Sequence, residues 1–154
     1  MKAIILSNIP LNEEEQTLLR DTNLYKLALN HHAEELKPHA RIFTDYVDLL
    51  KIHYMFPNER IYTTRARLRY PNKWIKPIDI DYKGSTIISA IEFLISQGVD
   101  KILLIADNTV HSKSFQNLIR QNLHQLKKTT RIYQFRQGNF PLEVKEISEF
   151  LWNT

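Results

Sequence analysis

Lys83-Gly84-Ser85-Thr86-Ile87-Ile88-Ser89-Ala90-Ile91-Glu92-Phe93-Leu94-Ile95-Ser96-Gln97-Gly98-Val99-Asp100-Lys101-Ile102-Leu103-Leu104-Ile105-Ala106-Asp107-Asn108-Thr109-Val110-His111-Ser112-Lys113 is the stretch on which the reading of this chain turns. Ser85 or Thr86 caps a helix, and Gly98 is placed to end it. Its apolar residues Ile87, Ile88, Ile91, Phe93, Leu94 and Ile95 cover more than one face, so the helix is expected to be mostly buried. The run Lys101 to Ala106 is short and apolar, as a strand covered on both faces is. Asp107, Asn108 and His111 follow directly, which puts polar groups just beyond the carboxyl end of a buried strand. Open α/β sheets bind their ligands there.

Outward from this stretch, strands and helices alternate. Lys2 to Leu6 reads as a strand, followed by a turn at Ser7 to Leu11 and a helix from Asn12 to Asp21, with Asn12 and Glu15 in capping-box spacing. Leu24 to Leu29 and Ala40 to Thr44 read as strands flanking a helical turn at Ala33 to Leu36. Asp45 to Phe56 reads as a helix with Val47, Leu50 and Tyr54 on one face, and Arg60 to Thr63 as a further strand. Residues 64 to 82, with Pro71 and Pro77, form a long connection in which Ile78 to Ile80 is a candidate short strand. Beyond the central stretch come a helix from Ser114 to Lys127 and a strand from Arg131 to Phe135. After a turn marked by Gly138 and Pro141, a last helix from Leu142 to Trp152 packs Val144, Ile147, Phe150 and Leu151. The expected fold is α/β: one Rossmann-like, doubly wound, mostly parallel sheet with helices on both faces, forming a single domain over residues 1–154.

Composition narrows the function. A chain of 154 residues with 43% hydrophobic and 25% charged residues suffices for one full core. It contains no cysteine, which excludes disulfides, thiolate nucleophiles and cysteine-held metals. The apolar run after Met1 is too short for a signal peptide and no segment approaches a membrane span, so the expected location is cytoplasmic. A net charge of +4 is compatible with a phosphate-bearing partner. There is no Gly-x-Gly-x-x-Gly after the first strand and no Gly-x-x-x-x-Gly-Lys, so the loops are read one by one.

Ser7 and Asn8 sit where the first strand ends, and their amides suit a base, ribose or phosphate; Asn30 ends the second strand on the same crevice. Ser85 and Thr86 open a helix whose unpaired N–H groups and positive dipole end suit an anion. His111, beside Asp107 and Asn108, has the chemistry of a general base toward an acceptor hydroxyl. Asp79-Ile80-Asp81 has the Asp-x-Asp form that sugar transferases use for a divalent metal, but such spacing arises readily by chance, and no metal site and no cofactor are assigned. Arg60, Arg65, Arg67, Arg69, Lys73 and Lys76, interleaved with Tyr62, Tyr70 and Trp74, form the densest basic run. It suits a nucleic-acid backbone, a solvated edge or a homodimer contact, and nucleic acid is the least favoured of these.

In their order, Ser7-Asn8-Ile9-Pro10, Asn30, Ser85-Thr86 before Gly98, and His111-Ser112-Lys113 resemble the motifs of bacterial lipooligosaccharide sialyltransferases, and more distantly the 6-hydroxymethylpterin diphosphokinase-like proteins. The resemblance implies that Asn8 and Asn30 contact a nucleotide, that Ser85 and Thr86 contact the nucleotide or donor sugar, and that His111 is the general base toward a carbohydrate acceptor. Both glycines of the family's first motif are missing, and the lid before the catalytic histidine is reduced to Thr109-Val110. The alternative expectation is a binding or assembly module of the same fold without catalysis.

Overall fold

A computed structural model of the chain describes residues 1–44, 52–64, 74–109, 112–136 and 138–153. In chain order the strands are β1 (Lys2–Leu6), β2 (Tyr25–Leu29), β3 (Ala40–Phe43), β4 (Arg60–Thr64), β5 (Ile75–Ile78), β6 (Lys101–Ile105), β7 (Arg131–Gln134) and β8 (Glu143–Val144). The helices are α1 (Glu13–Asp21), α2 (Ile52–Met55), α3 (Thr86–Ser96), α4 (Lys113–Leu126) and α5 (Ile147–Asn153), with a 3-10 turn at Glu34–Leu36. The strands form one sheet in the order β5-β4-β3-β2-β1-β6-β7-β8, and every neighbouring pair is parallel. The chain therefore builds outward from β1 to β5, returns through α3 to pair β6 with β1, and builds outward again. The fold is a doubly wound α/β sheet of the Rossmann-like kind, with its topological switch between β1 and β6.

Alternation along the strands sorts the core into two layers. Ala3, Ile5, Leu27, Leu29, Ile42, Ile102 and Leu104 face α3 and α4, whereas Ile4, Leu6, Ala28, Leu103, Ile105 and Phe135 face α1 and α5. Helix α3 buries Ile87, Ile88, Ser89, Ala90, Ile91, Phe93 and Leu94, as its all-round apolar sequence requires. The Ser85 hydroxyl accepts the Ile88 N–H at 3.3 Å, and Gly98, with φ +85°, ends the helix in the left-handed region. At α1 the Asn12 and Glu15 side chains reciprocally accept each other's backbone N–H, at 2.8 and 2.9 Å.

Three elements differ from expectation. The strand placed at Ile78 to Ile80 lies at Ile75–Ile78, and Pro77 is tolerated within it because β5 is a sheet edge. The last helix starts at Ile147 rather than Leu142, because the buried Gln134 amide claims the intervening backbone. Its Nε2 donates to the carbonyls of Phe140 (2.7 Å) and Leu142 (2.5 Å), and its Oε1 accepts the Phe140 N–H at 3.0 Å. Glu143–Val144 then pairs with β7 as β8, leaving Val144 48% exposed while Ile147 and Phe150 enter the core. Of the helix expected over Asp45 to Phe56, Val47 and Leu50 lie outside the described residues; Tyr54 is 72% exposed, and Phe56 fills the core place against Phe43, Ile61 and Ile75.

Among the described residues two cations lie inside. Lys26 is 2% exposed and its Nζ donates to the Leu19 carbonyl at 2.7 Å and the Leu36 carbonyl at 3.0 Å, tying α1 to the 3-10 turn. Arg41, on β3, has no exposed surface. Its Nε and Nη2 bind both oxygens of Glu59 at 2.9 and 3.1 Å, its Nη1 donates to the carbonyls of Asn30 (2.7 Å) and His32, and its guanidinium lies 3.9 Å from the Phe56 ring centre. Removing one partner of such a pair strands the other in low dielectric. Arg41→Ala is therefore expected to lower unfolding stability in urea by about 3–5 kcal/mol. A loss under about 1 kcal/mol would show that solvent replaces the guanidinium at no great cost.

Candidate functional site

The carboxyl ends of β2, β3 and β4 meet the amino end of α3. Asn30 ends β2 with φ +48°, a left-handed geometry that asparagine tolerates, and its backbone is held by Ile42 and Arg41. That turn aims the side chain along the sheet edge. The Asn30 Oδ1 accepts the Thr44 N–H at 3.2 Å, and its Nδ2 lies 3.4 Å from the Thr86 hydroxyl, a long contact. Thr44 and Thr86 share a hydrogen bond between hydroxyls at 2.5 Å.

Thr64 completes the group. The pairing of Phe43 with Thr63 sets Thr44 beside Thr64, and alternation from Ile42 and Tyr62 turns both toward α3. Thr64 is fully buried and its hydroxyl has no hydrogen-bond partner. Above this group stands the first turn of α3, where the N–H groups of Thr86 and Ile87 precede the intrahelical ladder. Ser85 is itself buried and spends its hydroxyl on the cap, leaving Thr86 as the side chain offered at this helix end. Neutral donors around a helix amino terminus suit a phosphate or carboxylate.

The second grouping is at the switch point. Ser7 continues the β1–β6 ladder through its N–H to the Ile105 carbonyl at 3.0 Å, and Asn8 beyond it is exposed. The Asp107 Oδ1 accepts both the N–H and the hydroxyl of Thr109, at 2.8 and 2.6 Å, which shapes the loop after β6. Asn108 turns inward. It is fully buried, its N–H donates to the Gly138 carbonyl at 2.8 Å and its Nδ2 to the Asn139 carbonyl at 3.3 Å, so it fastens this loop to the one after β7. The fit is close, since a Cβ on Gly138 would stand 2.7 Å from the Ala106 carbonyl. A cavity of about 640 Å³ opens here, lined by Ile9, Pro10, Asp107, Arg136, Val144 and Glu146.

The structure thus brings Asn30, Ser85 and Thr86 together, and separately Ser7, Asn8, Asp107 and Asn108, along the edge formed by adjacent strands β2, β1 and β6. His111 lies outside the described residues, as do Arg65, Arg67, Arg69, Tyr70 and Lys73 of the basic run. Of that run's remaining aromatics, Tyr62 is buried against Phe93 and Trp74 contacts Tyr54. Asp79 and Asp81 are exposed just after β5, and among the described residues no group of three histidine, aspartate or glutamate side chains is placed to hold a metal ion. No helix in the described residues is long and apolar enough to cross a membrane.

Thr44, Thr64 and Arg136 were not singled out by sequence. Thr44 and Thr64 are the first polar side chains after apolar strand runs, a signal shared with any strand end. Arg136 holds a left-handed φ of +50°, donates to the Pro10 carbonyl at 3.0 Å and pairs with Glu15, so it braces the cavity from β7 to the loop after β1. At the other end of the sheet, burial and then the charge of Lys37 lower the Lys26 pKa. Partial burial and then the nearby Lys26 ammonium likewise lower that of His39, whose Nδ1 accepts the Lys26 N–H at 3.1 Å. Compared with known protein families, curated proteins and solved structures, the chain matches none.

Two outcomes follow from these environments. Thr64→Val removes a buried hydroxyl that has no partner and is expected to raise stability by about 1 kcal/mol, whereas Thr44→Val, which breaks the bond to Thr86, lowers it by about 1 kcal/mol; equal losses in urea titrations of the two would contradict this geometry. His39 binds a proton more weakly when folded than when unfolded, so its contribution is present above about pH 6.5 and is lost as pH falls through its lower folded pKa. His39→Asn keeps an acceptor for Lys26 and cannot titrate, so its melting temperature is expected to fall less than the wild type's on acidification through this range.

Proposed function

We propose that the chain binds a nucleotide or nucleotide sugar along the carboxyl edge of its sheet and is a glycosyltransferase-like domain. The observation that carries this reading is the hydroxyl and amide group of Asn30, Thr44 and Thr86 gathered at the amino end of α3, with the unpartnered Thr64 hydroxyl behind it. Such a group holds a phosphate through neutral donors and the helix dipole. From the end of β2 to the end of β6 is two strand spacings, roughly 10 Å, which a nucleotide spans with its phosphate at α3 and its nucleoside near Asn8 and Asp107.

In the catalytic form of the reading, His111 takes the proton of an acceptor hydroxyl as that oxygen bonds the donor sugar's anomeric carbon. The bond from that carbon to phosphate breaks, and the helix end stabilises the departing anion. One observation favours a non-catalytic binding module instead: the whole connection from β6 to α4 is residues 106–112, too short for a lid that excludes water during transfer.

Thermal melting against cytidine monophosphate, other nucleotides and nucleotide sugars separates these readings. A ligand at a hundred times its dissociation constant adds about 2.7 kcal/mol, several degrees for a domain of this size. A nucleotide shift that is lost in Thr86→Val is the expected result, and no shift with any nucleotide would overturn the proposal. Where a nucleotide sugar is turned over, His111→Ala is expected to reduce the rate about a hundredfold or more while the nucleotide shift remains. Unchanged turnover in that variant would remove His111 from the chemistry.

A further inference from the structure

We infer that the opposite, amino-terminal edge of the sheet holds a second small-molecule site, one that takes a carboxylate carried on an aromatic or other apolar body. A cavity of about 630 Å³ opens there, between the starts of β2 and β4 and the last turn of α3. Its walls combine Tyr25, His39, Arg60 and Tyr62 with the apolar surface of Phe93 and Leu94. The aromatic groups are fixed against one another: the Tyr25 and His39 rings stack with centres 5.5 Å apart, and Tyr62 lies against Phe93 at 4.7 Å.

Beside the amides of Asn58 and Gln97, which both donate and accept, this cavity gathers the donors of Tyr25, His39, Arg60 and Tyr62. Because the His39 Nδ1 accepts the Lys26 N–H, the ring proton is placed on Nε2, the nitrogen left free to donate. Neither the Tyr25 nor the Tyr62 hydroxyl is hydrogen-bonded among the described residues, and the Arg60 guanidinium has no ion-pair partner there. The other charges around the cavity are already matched. Glu59 is held by the Nε and Nη2 of Arg41, and the Met1 ammonium pairs with Asp100 at 2.6 Å. Three of the carbonyls in the last turn of α3 are also taken: those of Phe93 and Leu94 accept the Gln97 N–H at 3.1 Å, and that of Ile95 accepts the Gly98 N–H at 3.0 Å.

The arrangement therefore selects an acceptor-rich, negatively charged group. A carboxylate meets the Arg60 fork in bidentate geometry and receives the tyrosine and histidine donors, while an apolar body of aromatic size covers Phe93 and Leu94. Tyr25 remains a donor at any physiological pH, because burial and the neighbouring Tyr62 push its hydroxyl up to about 12 against the opposing pull of Arg60. Nothing in this site uses Asn30, Thr44 or Thr86, so it stands whether or not a nucleotide binds at the other edge.

The test is isothermal titration of the full chain with 2-naphthoate into the low millimolar range, with the uncharged 2-naphthamide as control. Saturable one-to-one binding of the acid is expected. The amide and the Arg60→Gln variant should each bind about tenfold more weakly, the loss expected when a charge-assisted contact is removed. Tyr25→Phe, which keeps the stacked ring and removes one donor, should weaken binding by a smaller factor. Absence of saturable binding, equal affinity for acid and amide, or an Arg60→Gln variant that binds as the wild type does would each overturn the assignment.

Discussion

The geometry of the carboxyl edge depends on one buried cation. Arg41 points away from α3 into the opposite layer, where it has Glu59 on one side, the carbonyls of Asn30 and His32 on the other and the Phe56 ring across its face. A guanidinium carries its donors in a fixed planar fork, so satisfying Glu59 with one arm dictates where the other must find its carbonyls. The chain leaving β2 is thereby drawn back over the sheet edge, and Asn30 adopts its left-handed turn. Burial still raises the Glu59 pKa, although hydrogen bonding and the charge of Arg41 pull it down, which shows how far desolvation competes with pairing in this interior. A hydrophobic pair would fill the same space. It would not supply donors to the carbonyls of Asn30 and His32, and the side chain that meets Thr44 and Thr86 would lose its bearing.

Helix α3 connects this edge to the other. It crosses β1, β2 and β3 with almost no exposed face, so its position is set by the packing of Ile88, Ile91 and Leu94 on Ile5, Leu27 and Ile42. Close-packed interiors do not deform by small degrees. The amino end therefore delivers Thr86 to Thr44 at hydrogen-bond distance, and the carboxyl end delivers Phe93 to Tyr62, on the same strand as Thr64 two residues earlier. One rigid element holds the polar groups of both ends of the sheet in register.

The central layers were legible because their signals are long and redundant. Helix α3 is apolar on every side, β1 and β6 are unbroken apolar runs, and the Asn12–Glu15 and Ser85 caps mark helix starts through local hydrogen bonds that do not depend on tertiary context. The sheet edges were not, for a corresponding reason. In β5 the sequence Ile75-Lys76-Pro77-Ile78 buries only its isoleucines, and in β8 the two residues bury nothing. The spacing of Val144, Ile147 and Leu151 fits a helix face, but the helix start is decided by Gln134, which lies before the turn in sequence and above it in space. The site was half legible on the same grounds. Asn30 and Thr86 are visible as a strand end and a helix start, whereas Thr44 and Thr64 acquire meaning only when β3 and β4 pair in parallel register beneath α3.

That register also bears on chemistry. The donors gathered at the amino end of α3, among the described residues, are hydroxyls, an amide and backbone N–H groups, so an anion held by them keeps most of its own charge. Neutral donors and a helix dipole stabilise a phosphate that is already charged as well as one that is gaining charge, which favours binding over rate unless the bond-breaking step concentrates charge on that phosphate. Departure of a nucleotide from an anomeric carbon does so, and in the proposed pose the leaving oxygen would acquire charge beside the amides of Thr86 and Ile87. Under the proposed reading the same constellation would serve a binding module as it stands, and a transferase only if a base is brought to the opposite side of the sugar. The loop between β6 and α4 is the segment whose geometry decides between them, since it runs from Asp107, at the mouth of the switch-point cavity, to Ser112, which caps α4 through the Phe115 N–H at 3.2 Å. Both of its ends are pinned, and in a loop this short water exclusion during transfer would have to come from the acceptor itself.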